Sequence, residues 1–167
     1  FDSVSDSNIE YCIGDSFDWI ILKNSDTTPV INNGHNIKFR GNLLPPNTLG
    51  IGTFYVSKNY KLMGNCYSLV YGDKAYILDY KLPSFVFNAL FFYDYLDINK
   101  SPLIKVSSDF LYSKKLSEYC YNNMFNNTNT ITAPELPAEI LTEGCYNNMF
   151  RSCNNLRYIK MLATDIS

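Results

Sequence analysis

This chain has little of what most catalytic and metal sites need. It carries one histidine and one tryptophan, and charged residues fill only 18% of its 167 positions. A lone histidine, with no Cys-x-x-Cys pair anywhere, leaves no zinc-ligand cluster. Positive charge is not in excess either: the net charge is -2 and the isoelectric point is near 5.3. Nucleic acid and anionic membrane both demand a basic patch, so neither is expected as the main partner. No apolar run reaches the roughly 18 residues of a membrane span. No signal peptide is present, but the chain opens at Phe1 without Met and reads as processed. A missing leader therefore does not argue against secretion. The five cysteines (Cys12, Cys66, Cys120, Cys145 and Cys153) are odd in number and widely spaced. They are expected to be small buried hydrophobes, with Cys120 and Cys145 stacked as free thiols. A Cys145–Cys153 pair across one short helix is the alternative.

What is present favours a packed core. Hydrophobic residues make up 46% of the chain and aromatics 16%, with 14 Tyr and 11 Phe, which speaks against disorder. Asn is abundant. A surface that is polar through Asn, Ser, Thr and Tyr suits an extracellular binding protein, although an AT-rich genome would leave the same mark.

An internal repeat dominates the C-terminal third. Cys120-Tyr121-Asn122-Asn123-Met124-Phe125 recurs as Cys145-Tyr146-Asn147-Asn148-Met149-Phe150, an offset of 25 residues. Leu111 and Leu136, Leu116 and Leu141, Glu118 and Glu143, Asn129 and Asn154, and Ala138 and Ala163 agree at the same offset. That period lies in the leucine-rich-repeat range. Leu156-x-x-Ile159-x-Met161 reads as the short strand of a unit with its apolar residues pointing inward, and Ile131-x-x-Pro134-x-Leu136 is its upstream counterpart. Pro134 and Pro137 lack amide donors and predict a short, irregular strand. Leu116, Cys120 and Met124, and likewise Leu141, Cys145 and Met149, are spaced as on a helix face, with Tyr121/Phe125 and Tyr146/Phe150 forming a second stripe, and both stripes are expected to be core. Ser117 and Thr142 would cap these one- to two-turn helices. Val86 to Phe91 reads as a degenerate copy 34 residues before Cys120, with Leu103-Ile104-x-Val106 as its strand.

Residues 1–80 lack this period and read as short strands between turns. The expected strands are Phe17 to Leu22, Asn36 to Arg40 after the Asn32-Asn33-Gly34 turn, Ile51 to Val56, and Cys66 to Tyr71. Pro45-Pro46-Asn47 and Met63-Gly64-Asn65 interrupt them. The expected fold is therefore α+β. A small N-terminal antiparallel β-domain (1–80) precedes a short leucine-rich-repeat-type solenoid of strand and short-helix units (81–167). The solenoid would hold a degenerate unit at 81–110 and clear units at about 111–135 and 136–160. Its C-terminal edge is expected either to be covered by another molecule, allowing self-association, or to be a cut end.

The Cys-Tyr-Asn-Asn-Met-Phe copies, Ala133-Pro134-Glu135-Leu136-Pro137-Ala138, Cys153, Leu156 and the ending Tyr158 to Ser167 resemble the BspA-like leucine-rich-repeat surface proteins of bacteria. The stretches Lys38 to Asn42, Gly50 to Phe54 and Gly64 to Asp73 are similar to the domain that precedes such repeats. The resemblance implies a secreted or surface-exposed adhesion protein, often lipid-anchored, and supplies no catalytic residues. Thr128 departs from the pattern, standing where the next copy has Cys153.

Chemistry finds little support in the residues. His35 with Cys12 or Cys66 would be needed for a thiol hydrolase, and nothing in the spacing joins them. No carboxylate pair marks a glycosidase, and Gly50-x-Gly52 is too short for a phosphate loop. Asp94, Asp97 and Asn99 lack the order of an EF-hand. Asn99-Lys100-Ser101 and Asn126-Asn127-Thr128 match the glycosylation pattern, which is incidental in a bacterial protein. The expectation is a non-catalytic, cofactor-free and metal-free binding or adhesion scaffold at the cell surface or outside the cell. It would engage an extracellular protein or glycan through the solenoid's strand face. Thr132, Ala133 and Glu135, then Arg157, Tyr158 and Lys160, are the outward residues of that face. Two alternatives stand beside it: a carbohydrate-binding N-terminal domain in which Trp19 stacks on sugar, and a structural spacer.

Overall fold

The computed structural model describes residues 9–22, 28, 30–32, 34–41, 54, 56, 58–75, 81–92 and 102–164. The chain divides into two compact units, Phe1–Pro46 with Cys66–Leu78, and Asn47–Asn65 with Asp79–Ser167. The predicted positions Ile51 to Thr53, Asp94, Asp97, the Asn99 glycosylation pattern, Gly50-x-Gly52 and Pro45-Pro46-Asn47 lie outside the described residues. No described helix is long and apolar enough to cross a membrane.

In the first unit, β1 (Ile9–Ile13), β2 (Ile20–Leu22) and β3 (Ile37–Gly41) form an antiparallel sheet in the order β2-β1-β3. Register pairs Tyr11 with Ile20 on one side and with Phe39 on the other. The apolar run from Phe17 becomes an edge: Phe17 is 84% exposed and Ile20 and Ile21 are about half exposed. The predicted strand Cys66 to Tyr71 is instead a one-turn helix, α1 (Ser68–Tyr71), followed by the 3-10 turn Gly72–Lys74. Cys66, Tyr67, Leu69, Val70 and Tyr71 are all buried, and a short run buried all round has no period that tells strand from helix. Gly41 lets the α1 backbone touch the sheet, because a Cβ there would lie 1.9 Å from the Leu69 carbonyl oxygen.

The second unit corrects the expected fold. The described chain is a small mixed fold with one short helix and two small sheets, most of its residues being turns or irregular backbone. It is not a leucine-rich-repeat solenoid of strand and short-helix units. Its regular part is the parallel pair β4 (Tyr60–Leu62) and β5 (Leu103–Val106). The strands expected near residues 131–136 and 156–161 shrink to single bridges, Lys105 to Thr132 and Leu136 to Met161. In the first of these segments, Pro134 and Pro137 have no amide to offer a ladder.

The expected short helices are absent for a specific reason. Every fourth residue of the repeated segments takes a left-handed backbone: Phe85 and Ala89; Tyr119, Asn123 and Asn127; Gly144, Asn148 and Ser152, with φ between 53° and 61°. A right-handed helix cannot pass through such a residue. Each segment folds instead as a ribbon of consecutive turns. Cys145, Asn147, Met149 and Arg151 donate their amides three residues back, to Thr142, Gly144, Tyr146 and Asn148. Ser117 and Thr142 thus serve through their backbone carbonyls, accepting from Cys120 and Cys145, and not as side-chain caps.

The alternate amides point out of the ribbon. Phe85, Phe87, Ala89 and Phe91 donate to Glu118, Cys120, Asn122 and Met124 at 2.9–3.2 Å. Tyr119, Tyr121, Asn123, Phe125 and Asn127 donate to Glu143, Cys145, Asn147, Met149 and Arg151 at 2.8–3.0 Å. Three ribbons are therefore laid in register, at offsets of 34 and then 25 residues. Equivalent rings stack: Phe54, Phe91, Phe125 and Phe150 form one column at 6.0, 5.7 and 5.6 Å. Phe87, Tyr121 and Tyr146 form a second column at 5.6 and 5.7 Å. The inward positions Val86, Cys120 and Cys145, and Leu90, Met124 and Met149, are buried.

Candidate functional site

The surface predicted for recognition is only partly assembled. Glu135 and Lys160 meet as an ion pair at 2.5 Å, placed together by the backbone bond from Leu136 to the Lys160 carbonyl. Both are partly solvated, so this pair contributes under about 1 kcal/mol. Arg157 is exposed and Tyr158 is 66% exposed. Thr132 belongs to a different neighbourhood, bridged to Lys105, and Ala133 is buried rather than outward. Ile159 and Met161, expected to face inward, are 47% and 42% exposed. All five residues from Arg157 to Met161 thus reach solvent. They combine two cations, one phenol and two apolar side chains.

A groove of about 520 Å³ adjoins this segment, lined by Leu136, Tyr146, Asn148, Met149, Phe150, Arg151, Ile159 and Met161. Its floor is the last turn ribbon. Tyr146 and Phe150, expected as core, are each the last ring of a column among the described residues, and both are half-buried. The shared spacing of aromatics between the two motif copies was the signal, but a helix reading hid which ring would come last. Burial raises the Tyr146 hydroxyl well above the ordinary phenol range, so it stays protonated.

Other predicted groups resolve individually. All five cysteines are free and buried. Burial pushes the Cys120 thiol up to about 12, which leaves it neutral and unreactive at physiological pH. Thr128 stacks on its counterpart in the next copy: its Oγ1 lies 3.3 Å from Cys153 Sγ and 2.7 Å from Thr130 Oγ1. The Cys153 thiol also donates to the Phe125 carbonyl at 3.0 Å. Asn126 of the second glycosylation pattern is 3% exposed and out of reach of a transferase. His35 is exposed, whereas Cys12 and Cys66 are buried. No group of three His, Cys, Asp or Glu able to hold a metal occurs among the described residues.

In the first unit, Trp19 is half-buried with the Arg40 guanidinium 4.2 Å above its ring centroid. Arg40 also bonds Glu10 at 2.7 Å, its cross-strand partner, and Asp73 at 2.8 Å. The hydrogen bond to Glu10 is the main reason its pKa is raised. That guanidinium takes one face of Trp19 out of use for stacking on a sugar. No protein-family model, no curated protein and no solved structure matches the chain.

Proposed function

We propose that this chain is a non-catalytic binding module of a secreted or cell-surface protein of the BspA-like kind, engaging an extracellular protein or glycan. One observation carries the reading: the run Arg157-Tyr158-Ile159-Lys160-Met161 is exposed throughout and borders an open apolar groove. Exposed apolar side chains gathered in one place favour contact with a partner. Arg and Tyr are the residue types that most often dominate binding energy once desolvated. Lys160 is partly neutralised by Glu135, which leaves Arg157 as the stronger anchor for an acidic group.

The test is an array of glycans and extracellular-matrix proteins probed with the intact chain and with the triple variant Arg157→Ala, Tyr158→Ala, Lys160→Ala. Loss of at least about tenfold in affinity is expected, since one lost anchor alone is often worth that much. Binding that survives all three changes removes this segment from the reading and turns attention to the antiparallel sheet of the first unit.

A further inference from the structure

The stacked ribbons have a polarity that sets what can be added to them. In each ribbon one alternate set of backbone groups closes its own turns. The other set faces the neighbours, with carbonyls on one side and amides on the other. The last ribbon gives its Glu143, Cys145, Asn147, Met149 and Arg151 carbonyls to the ribbon before it. The amides of Gly144, Tyr146, Asn148 and Phe150 occupy the opposite edge. In the two preceding ribbons the equivalent amides all bond a further layer. Here they have no acceptor among the described residues. The same edge carries the terminal rings of both columns, Tyr146 and Phe150, and forms the floor of the groove.

We infer that the edge Gly144–Phe150 is a backbone docking site for one kind of partner, a turn-ribbon peptide that offers alternate carbonyls and an aromatic residue every fourth position. Donor polarity selects this occupant. A second copy approaching by a two-fold axis would set amide against amide, which makes no hydrogen bond. A head-to-tail copy would have to offer the carbonyl edge of its first ribbon. There Leu90 already accepts the Phe54 amide, and the Phe54 ring covers that of Phe91. The ring spacing of 5.6–5.7 Å, repeated at each step, fixes where the partner's aromatics must fall. The logic is that of strand addition to an open sheet edge, with turns in place of strands. This inference stands apart from the Arg157–Lys160 reading, since it uses backbone amides and rings only.

The probe is a labelled synthetic peptide with the sequence of residues 142–153, both cysteines replaced by serine, which has the required carbonyls, rings and turn-forming residues. It is titrated into the intact chain while amide exchange is followed residue by residue. Free protein should exchange the Tyr146, Asn148 and Phe150 amides quickly. Saturating peptide should slow them, while Asn147 and Met149, bonded within their own turns, change little. A peptide with alanine at both ring positions should bind about tenfold more weakly. The Arg157→Ala, Tyr158→Ala, Lys160→Ala variant should protect the same three amides as the unchanged protein. The inference is overturned if the peptide does not bind, if the three amides are already protected in free protein, if the alanine peptide binds equally well, or if the triple variant loses the protection.

Discussion

Gly144 is the position where backbone and side chain both demand glycine, and replacing it tests the ribbon geometry directly. Its φ is +58°, and a Cβ there would lie 2.2 Å from Cε1 and 2.4 Å from Cδ1 of the Tyr119 ring. The ring is not free to step aside. It stacks on Phe85 at 5.1 Å and donates its hydroxyl to Glu143 at 2.9 Å. For Gly144→Ala the left-handed backbone costs about 1 kcal/mol. Forcing a methyl into the occupied space adds about 1–2 kcal/mol. The sum, about 2–3 kcal/mol, lowers the thermal midpoint by about 5–10 °C in a chain of this size. Thermal unfolding followed by far-ultraviolet circular dichroism reads it. The decisive comparison is the same substitution in a Tyr119→Ala background, where only the backbone cost remains and the drop should fall to half or less. Equal drops in both backgrounds would refute the ring contact. No drop in either would refute the left-handed turn itself.

Three further outcomes follow from the structure. Arg40→Met keeps much of the aliphatic bulk but removes both ion pairs and the cation over Trp19; a loss of about 1–2 kcal/mol is expected in urea unfolding. High salt should narrow the gap from the unchanged protein, and easier quenching of Trp19 by iodide should accompany it; a salt-independent loss would show that the charges are not responsible. The native chain should show no thiol reactive to a disulfide reagent, and all five after denaturation. Because burial holds the Cys120 thiol at about 12 against an ordinary 9.0, the unfolded chain releases this proton first as pH rises. Stability is then fully present below pH 9.0 and falls toward about 12, at about 1.4 kcal/mol per pH unit for one proton. Cys120→Ala should flatten that decline, and an unchanged slope would exclude the thiol as its source.

How much of this was legible beforehand depends on which periodicity the residues encode. The offsets were readable as letters: 25 residues from Cys120 to Cys145, and 34 from Val86 to Cys120, are the registers at which the ribbons lie. The β3 strand, read at 36–40 and observed at Ile37–Gly41, was legible from alternation after a turn signal. Local conformation was not. Cys120 and Met124 are both buried and four apart, which a helix and a ribbon of turns satisfy equally. The discriminating letters were the Asn and Gly residues at the same four-residue spacing. Asn123, Asn127, Gly144 and Asn148 all take positive φ, where these residue types cost least. The abundance of Asn suits a polar surface equally well, and Phe85, Ala89, Tyr119 and Ser152 conceal the pattern by taking the same conformation without the usual residue type.

The candidate site was hidden by the same substitution of ribbon for helix. Beyond its first turn a helix directs its amides back on itself, so its flank offers only side chains to a partner. A ribbon of turns satisfies half of its amides internally and must find acceptors for the rest outside. The three copies therefore hold each other by a ladder of backbone bonds, to which stacked rings and a few side-chain hydrogen bonds are added. Tyr146 and Phe150 keep the identities of core residues because each resembles the ring stacked before it. Their position as last in the column leaves one ring face uncovered by a following aromatic. The groove beside Ile159 and Met161 arises from that position. Recognition by residue type assigns Thr132, Ala133, Glu135, Arg157, Tyr158 and Lys160, all by their side chains. The sequence predicts an edge at this end of the array; the backbone polarity adds a row of amides there that no amino-acid alphabet displays.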